Sequence, residues 1–343
     1  MNNIHGGDIY RNKVNTDFSI SVNPLGVPEN VVKALEESIL DVGKYPDIRC
    51  ERLTKATAKM LGIKEEYLAF GNGSSDLFMA IAHAYLPGNV IIPVPSFYGY
   101  EYAFANQSEN VIFHELKEED GFLPTRELLE VLNENTDFLI LANPGNPLGS
   151  LMDRELLKDI IETCYKRNIR VVLDECFIDF TGSNNSVIDL IEDYPNLCII
   201  RSFTKIFAIP SVRIGYLICS DTDFVEFVKS HLSEWNVSGM AQEAGIACTE
   251  CKDYVARSVE FVKKEREYLY REFDRIGIKY FKSDCDYILI KDSRRLDEEL
   301  LKNNVMIRNC SNFRGLGKEY YRIAIRTHEE NETLIGLLDK IKA

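Results

Sequence analysis

A chain of 343 residues, 45% of them hydrophobic, can bury a full core as one large or two modest domains. Its 54 acidic residues outweigh 40 basic ones, and the formal charge of −14 excludes the basic face that nucleic acid or an anionic membrane would need. A few local arginines can still hold a small anion. The nine cysteines are scattered, no apolar stretch is long enough to span a bilayer, and no signal peptide opens the sequence. The expected setting is the cytoplasm, with reduced thiols.

The chain begins with His5-Gly6-Gly7. Residues 17–23 alternate Phe18, Ile20 and Val22 with polar side chains, and this segment is expected to join a second domain across a cleft. From residue 67 to 220, short apolar runs alternate with helical patterns. The runs predict strands at 67–70, 89–94, 110–115, 137–142, 170–174, 197–201 and 214–219. Several are apolar at consecutive positions, as expected of strands covered on both faces. Between them the clearest helix is 153–167, with Leu156, Leu157, Ile160, Ile161 and Cys164 on one face. This alternation implies an α/β fold: a large domain with a mostly parallel sheet flanked by helices. After Trp235 the pattern changes. A long helical stretch covers 239–275, short strands follow at 287–291, 305–309 and 320–326, and a terminal helix begins near Glu329. The expected division is a large ligand-binding domain at 36–234, with 1–35 and 235–343 forming a small α+β domain.

Ligands bind such sheets at the carboxyl ends of strands, and the motifs fall there. Gly71-Asn72-Gly73-Ser74-Ser75-Asp76 joins a strand to a helix. Its glycines allow close backbone approach, and Ser74, Ser75 and the helix N-terminus offer donors to a phosphate. A plain N-cap loop has the same composition. Asn143-Pro144-Gly145-Asn146-Pro147-Leu148-Gly149 is a stiff loop that can aim an amide into the cleft, or an ordinary turn. Asp174-Glu175 ends a strongly apolar strand, and a buried carboxylate there needs a partner; Asp179 is close enough to compete. Arg322 and Arg326 share one face of a strand, where one can bind a carboxylate or both can pair with surface acids. Cys248 and Cys251 form the one CxxC. It lies in a helical pattern with no second ligand pair, so it is read as structural.

The sharpest combination surrounds Lys205, in Arg201-Ser202-Phe203-Thr204-Lys205. Hydroxyls flank the amine, Arg201 precedes it, and Arg213 follows eight residues later. Phe203, Ile206, Phe207 and Ile209 argue against an exposed lysine, and apolar surroundings favour a neutral, nucleophilic amine. Together with Asp174, these groups suit pyridoxal phosphate (PLP). The amine takes the aldehyde as a Schiff base, the hydroxyls and Arg213 take the phosphate, and the acid pairs with the pyridine nitrogen.

With these residues in view, the sequence resembles the fold-type I PLP enzymes of the class I/II aminotransferase family over nearly its whole length. Within that family it is similar to the histidinol-phosphate aminotransferases, and closer still to the threonine-phosphate decarboxylases of cobalamin biosynthesis. The likeness to the latter rests on His5-Gly6-Gly7, Asp17-Phe18-Ser19, Asn23-Pro24-Leu25-Gly26, the run from Asp174 to Phe180, the run from Arg201 to Pro210, Ile307-Arg308-Asn309-Cys310, and the run from Tyr320 to Arg326. The resemblance implies Lys205 as the covalent anchor and Asp174 at the ring nitrogen. Asn146 would bond the ring hydroxyl and Phe97 would stack on the ring. Ser74, Ser75, Ser202 and Arg213 would bind the cofactor phosphate, with Tyr45 reaching it from the second subunit of a homodimer. Arg322 would hold a substrate carboxylate, helped by Asn23. A phosphorylated amino-acid substrate would place its own phosphate at His5, Gly6 and Gly7. Leu148 departs from the family's usual threonine, and Phe177 from the tyrosine of many aminotransferases. Glu234-Trp235-Asn236-Val237-Ser238, expected near the cofactor, departs from the decarboxylase branch's more usual Pro-Trp-Ser-Val-Asn.

Overall fold

The computed structural model of the protein describes residues 5–182 and 185–342. Seven strands form the main sheet in the order Leu68–Gly71, Gly215–Ile218, Leu197–Ser202, Arg170–Asp174, Phe138–Ala142, Asn89–Val94 and Asn110–Glu115. All neighbours are parallel except at Gly215–Ile218, which runs antiparallel to both flanking strands. The strand Arg170–Asp174 shows why the centre is apolar throughout. Val171, Val172 and Leu173 are all buried, so both faces are covered and no polar alternation is possible. Each such side chain contributes roughly 1.5–3 kcal/mol on burial.

Helix Arg154–Lys166 covers this sheet. Asp153 caps it by accepting from the Leu156 amide at 3.0 Å, and Leu157, Ile160, Ile161 and Cys164 turn inward at helical spacing. The predicted helical stretch 239–275 is two helices, Gly239–Cys248 and Lys252–Ile276. Side chains compete for the carbonyls at the join: Thr249 Oγ1 donates to Ile246 O at 2.7 Å and Cys251 Sγ to Ala247 O at 3.3 Å.

A second, antiparallel sheet runs Arg308–Asn309, Tyr320–Ala324, Tyr287–Lys291, Lys279–Tyr280. The predicted strand 305–309 divides at Ile307. Val305–Met306 pairs in parallel with Thr16–Asp17, while Arg308–Asn309 pairs with Tyr321 and Arg322. The N-terminal segment therefore does join the second set of strands, and Phe18 extends the link by donating to Met306 O and accepting from the Ala324 amide. The switch at Ile307 places Arg308 directly opposite Arg322. No described helix is long and apolar enough to cross a membrane.

Candidate active site

A cavity of about 270 Å³ opens where the carboxyl ends of the main sheet meet the second sheet and the N-terminal segment. Its wall gathers Ser74, Ser75, Phe97, Asn146, Asp174, Ser202, Lys205 and Arg213 with His5, Gly6 and Arg322. Residues as far apart as 5 and 322 thus line one space.

Asp174 ends its strand with a buried carboxylate, held by Tyr100 Oη at 2.5 Å and by the Cys176 amide at 2.8 Å. Burial pushes its pKa up, while these two bonds and the nearby Lys205 oppose that rise. Glu175, the next residue, points the other way. It is buried against Arg201 at 2.8 Å and also accepts from Ser186 Oγ and the Val187 amide. This corrects the expectation that Arg201 flanks the reactive amine: its guanidinium is spent on Glu175, and it is absent from the cavity wall. Asp179 likewise faces Arg201, whose charge opposes the rise that burial imposes on its pKa.

Lys205 follows the strand Leu197–Ser202 and is partly exposed, lining the cavity. Its amine lies 5.7 Å from the centre of the Phe177 ring. Burial lowers its pKa, as does the charge of Arg322. A neutral amine is thereby favoured at a cavity edge, which is the state that attacks an aldehyde.

The anion cup is built by close approach. Gly73 has φ +81°, and a Cβ there would lie 2.3 Å from Arg213 Nη2. Only glycine lets the Arg213 guanidinium lie against this loop. Ser74 and Ser75 line the cavity and open the helix Ser74–Tyr85, which puts a helix N-terminus at its wall. Ser202 Oγ contacts Thr204 Oγ1 at 2.7 Å, and Thr204 also lines the wall. Asn236 braces the cup from outside, donating to Phe70 O and Asp76 Oδ2. The divergent 234–238 segment is therefore close to the site, yet none of its residues lines the cavity.

On the other side of Lys205 the charges come from the second sheet. Arg322 is buried, donating to Asn146 Oδ1 at 2.7 Å and to Ser19 O at 3.0 Å. Arg326 is not beside it: the strand ends at Ala324, and Arg326 turns to Glu330. Arg308, left unassigned in the sequence reading, is a cavity residue. It lies over the Phe313 ring at 5.2 Å and bonds Asn312 Oδ1 at 2.6 Å. Burial lowers its pKa to about 10. The His5 ring lies 5.9 Å from that of Phe97, tilted by 41°, and its pKa is lowered by burial and then by Arg308, Arg322 and Lys205. Ser21 adds a buried hydroxyl with no partner among the described residues.

Two expected ligands are engaged elsewhere, and Tyr45, expected to serve a second subunit, lies away from this chain's own site. The Gly7 amide is spent on Ser19 Oγ at 2.8 Å. Asn23 is buried outside the cavity wall: its amide donates to Ile206 O and Ser258 Oγ, and its carbonyl accepts from the Leu25 amide. Tyr45 is 81% exposed and packs on Trp235 at 4.8 Å, away from this chain's own cavity. Leu148 sits in the small apolar cluster with Phe122, Phe281 and Leu289.

The donor set fits PLP: a depressed amine, a buried carboxylate with its own supports, and a glycine-shaped cup with an arginine and serines. Fold and cavity define a PLP-dependent enzyme of fold type I, whose cofactor is pyridoxal 5′-phosphate. The chain belongs to the class I and II aminotransferase family, whose profile matches residues 13–338. It is 31% identical over 329 residues to the threonine-phosphate decarboxylase of Salmonella typhimurium, covering 95% of this chain and 90% of that one. It is 34% identical over 342 residues to an adenosylcobalamin biosynthesis bifunctional protein of Leptospira interrogans, covering 95% of this chain and 38% of that one. The crystal structure of the histidinol-phosphate aminotransferase from Clostridium acetobutylicum superposes with a TM-score of 0.90 at 30% identity, covering 95% of this chain and 99% of that one.

Proposed function

We propose that the protein decarboxylates L-threonine O-3-phosphate to (R)-1-aminopropan-2-ol phosphate, a step of cobalamin biosynthesis. The observation that carries this reading is a second anion-binding set, the cations Arg308 and Arg322 with the His5 imidazole beside them, apart from the Ser74, Ser75 and Arg213 cup. A phosphorylated amino acid brings two anionic groups besides its amine, and this set offers two arginines to receive them. Arg322 takes the carboxylate. Arg308, His5 and the Gly6 amide take the phosphate. Similarity to the Salmonella decarboxylase and to the Leptospira cobalamin protein supports the same choice.

In this reading Lys205 holds the cofactor covalently, and Ser74, Ser75, Ser202 and Arg213 bind its phosphate. Asp174 would pair with the ring nitrogen, Asn146 would bond the ring hydroxyl, and Phe97 would stack on the ring. When bound, PLP supplies an electron sink for the bonding pair released at Cα. The protein's part is orientation and proton management. Asp174, whose ionised form is favoured by Tyr100 and the Cys176 amide against the effect of burial, would pair its charge with that sink. Arg322 and Arg308 fix the substrate by its two ends, so the Cα–carboxylate bond is the one presented. Lys205 Nζ, at the cavity edge, would deliver the proton that replaces the carboxylate on Cα. Phe177 and Phe313 line the cavity and limit water around Cα.

The structural likeness to the Clostridium aminotransferase supports a second reading, transamination of a phosphorylated amine such as histidinol phosphate. Purified holoenzyme offered O-phospho-L-threonine, O-phospho-L-serine and histidinol phosphate with a keto acid separates the two. Carbon dioxide release without loss of the cofactor's aldehyde absorbance supports decarboxylation. Accumulation of the aminated cofactor without gas overturns it. We extend the proposal to a cytoplasmic homodimer in which Tyr45, exposed here, reaches the phosphate cup of the second subunit.

A further inference from the structure

Asp286 lies immediately before the strand Tyr287–Lys291, and its carbonyl accepts from the Ile325 amide at 2.7 Å. The residue is fully buried, at 0% exposure, and neither carboxylate oxygen has a hydrogen-bond partner among the described residues. A buried carboxylate in that condition is costly unless other charges answer it. Lys205, on the loop after strand Leu197–Ser202, and Arg322, on strand Tyr320–Ala324, both favour its ionised form. Arg266, on helix Lys252–Ile276, adds a smaller effect while donating to Cys285 O at 2.9 Å. The flanking Cys285 and Tyr287 are held protonated by burial and bring no charge of their own. Arg322 is also incomplete: its Nε has no hydrogen-bond partner among the described residues, although Nη1 and Nη2 are both engaged.

We propose that Asp286 is a positioning residue for Lys205: a buried counter-charge, outside the cavity wall, that sets how firmly the amine at position 205 holds its proton. This rests on the reading of Lys205 as the residue that carries the cofactor. The two buried acids then divide the work. Asp174 has two donors of its own and faces the cavity, so it serves the ring. Asp286 has none and depends on the Lys205–Arg322 pair. Burial pushes Asp286 up to about 7, so its charge changes near neutrality and modulates Lys205 in the range where the enzyme would work. Asp286 touches neither substrate nor cofactor, and no bond is made or broken at it.

The test compares wild-type holoenzyme with Asp286→Asn and Asp286→Glu. The cofactor's absorbance is titrated from about pH 5 to about pH 10 in the resting enzyme, without substrate. Removing the negative charge should move the chromophore's midpoint to lower pH by about one unit, a tenfold change in proton affinity. Asp286→Glu should restore most of the wild-type midpoint. A folded Asp286→Asn enzyme titrating with the wild-type midpoint overturns the proposal. Should Asp286→Asn fail to fold, Asp286→Ser, smaller and equally uncharged, takes its place, and a wild-type midpoint in that variant overturns the proposal. Borohydride reduction of the wild type with peptide mass mapping checks the underlying reading separately. A label absent from Lys205 removes that reading, whatever Asp286 does.

Discussion

Tyr100, on helix Tyr98–Phe104, donates a 2.5 Å hydrogen bond to Asp174 at the end of the strand Arg170–Asp174. The phenol is fully buried, and its own pKa is pushed well above the usual value by burial and by that carboxylate. It therefore remains a donor at every working pH.

Tyr100→Phe keeps the ring and removes the donor. Asp174 then loses one of the two bonds that oppose the effect of burial, and its carboxyl rises further toward the neutral form. A hydrogen bond to a charged group contributes about 1.5–3 kcal/mol, so kcat/KM should fall roughly 10- to 100-fold. Thermal stability should change little, because the ring still packs against Phe78 at 4.9 Å. Steady-state kinetics beside a melting curve checks both halves.

Lys205→Ala should abolish borohydride-stable attachment of the cofactor and reduce turnover by roughly 10²- to 10⁴-fold, the range expected when a positioned acid–base group is lost. Arg213, Ser74 and Ser75 remain, so the variant should still bind the cofactor non-covalently. Equilibrium dialysis followed by absorbance measures that residual binding. A variant that keeps near-wild-type turnover would show that another amine serves.

Asn23 was read from the sequence as an aid to the substrate carboxylate, yet its amide bridges Ile206 O and Ser258 Oγ. Ile206 is the residue after Lys205, so Asn23 ties helix Lys252–Ile276 to the lysine loop. Asn23→Ala leaves those buried groups unpaired at a cost of about 1–3 kcal/mol. A fall in Tm, with kcat reduced more than KM is raised, is the expected pattern. An unaltered Tm with a large rise in KM would return Asn23 to the substrate's side.

Much of the main sheet could be read from residue order. Strands such as Asn89–Val94 and Arg170–Asp174 have the predicted bounds because continuous burial demands continuous apolar residues, and the turns between them carry Gly, Pro and Asn. Ser74, Ser75, Ser202 and Lys205 were legible for a related reason: each lies at or just after the end of such a strand. The second sheet was less so. Val305–Asn309 looks like one strand, and its change of partner at Ile307 depends on Thr16 and Tyr321, far away in sequence. Arg308 became visible as a cavity residue only through that switch. Asp286 is an ordinary acid in the sequence, and only the fold shows its carboxylate buried, without a hydrogen-bond partner among the described residues and within the influence of Lys205 and Arg322. Arg201 erred in the opposite direction. Closeness to Lys205 in sequence suggested a shared role, but alternation along the strand sends its side chain to Glu175.

Glu175→Gln tests that last pair. Arg201 and Glu175 are both buried; burial works against the charged guanidinium, and the charge of Glu175 more than offsets it. Neutralising one partner leaves an uncompensated buried charge, which typically costs about 3–5 kcal/mol. The expected result is a marked drop in Tm or in soluble yield. In the fraction that folds, the cofactor spectrum should be unchanged, since neither side chain lines the cavity.

Asp286 makes a separate prediction about stability in the cofactor-free protein. Its native pKa of about 7 lies above the ordinary 3.8. Between those values the native state binds more protons than the unfolded one, so stability falls as pH rises from about 4 to about 7 and stays at the lower level above that. The pH-dependent part amounts to at most about 4 kcal/mol, from roughly 1.4 kcal/mol per unit of pKa. Asp286→Asn cannot titrate and should lack this decline. Its Tm relative to wild type should therefore climb steadily between pH 4 and 7 and then level off. The comparison uses the slope rather than the absolute Tm, because an amide at this position has unpaired groups of its own. Parallel melting curves for the two proteins would argue that the Asp286 carboxylate finds a partner in solution and carries no titratable strain.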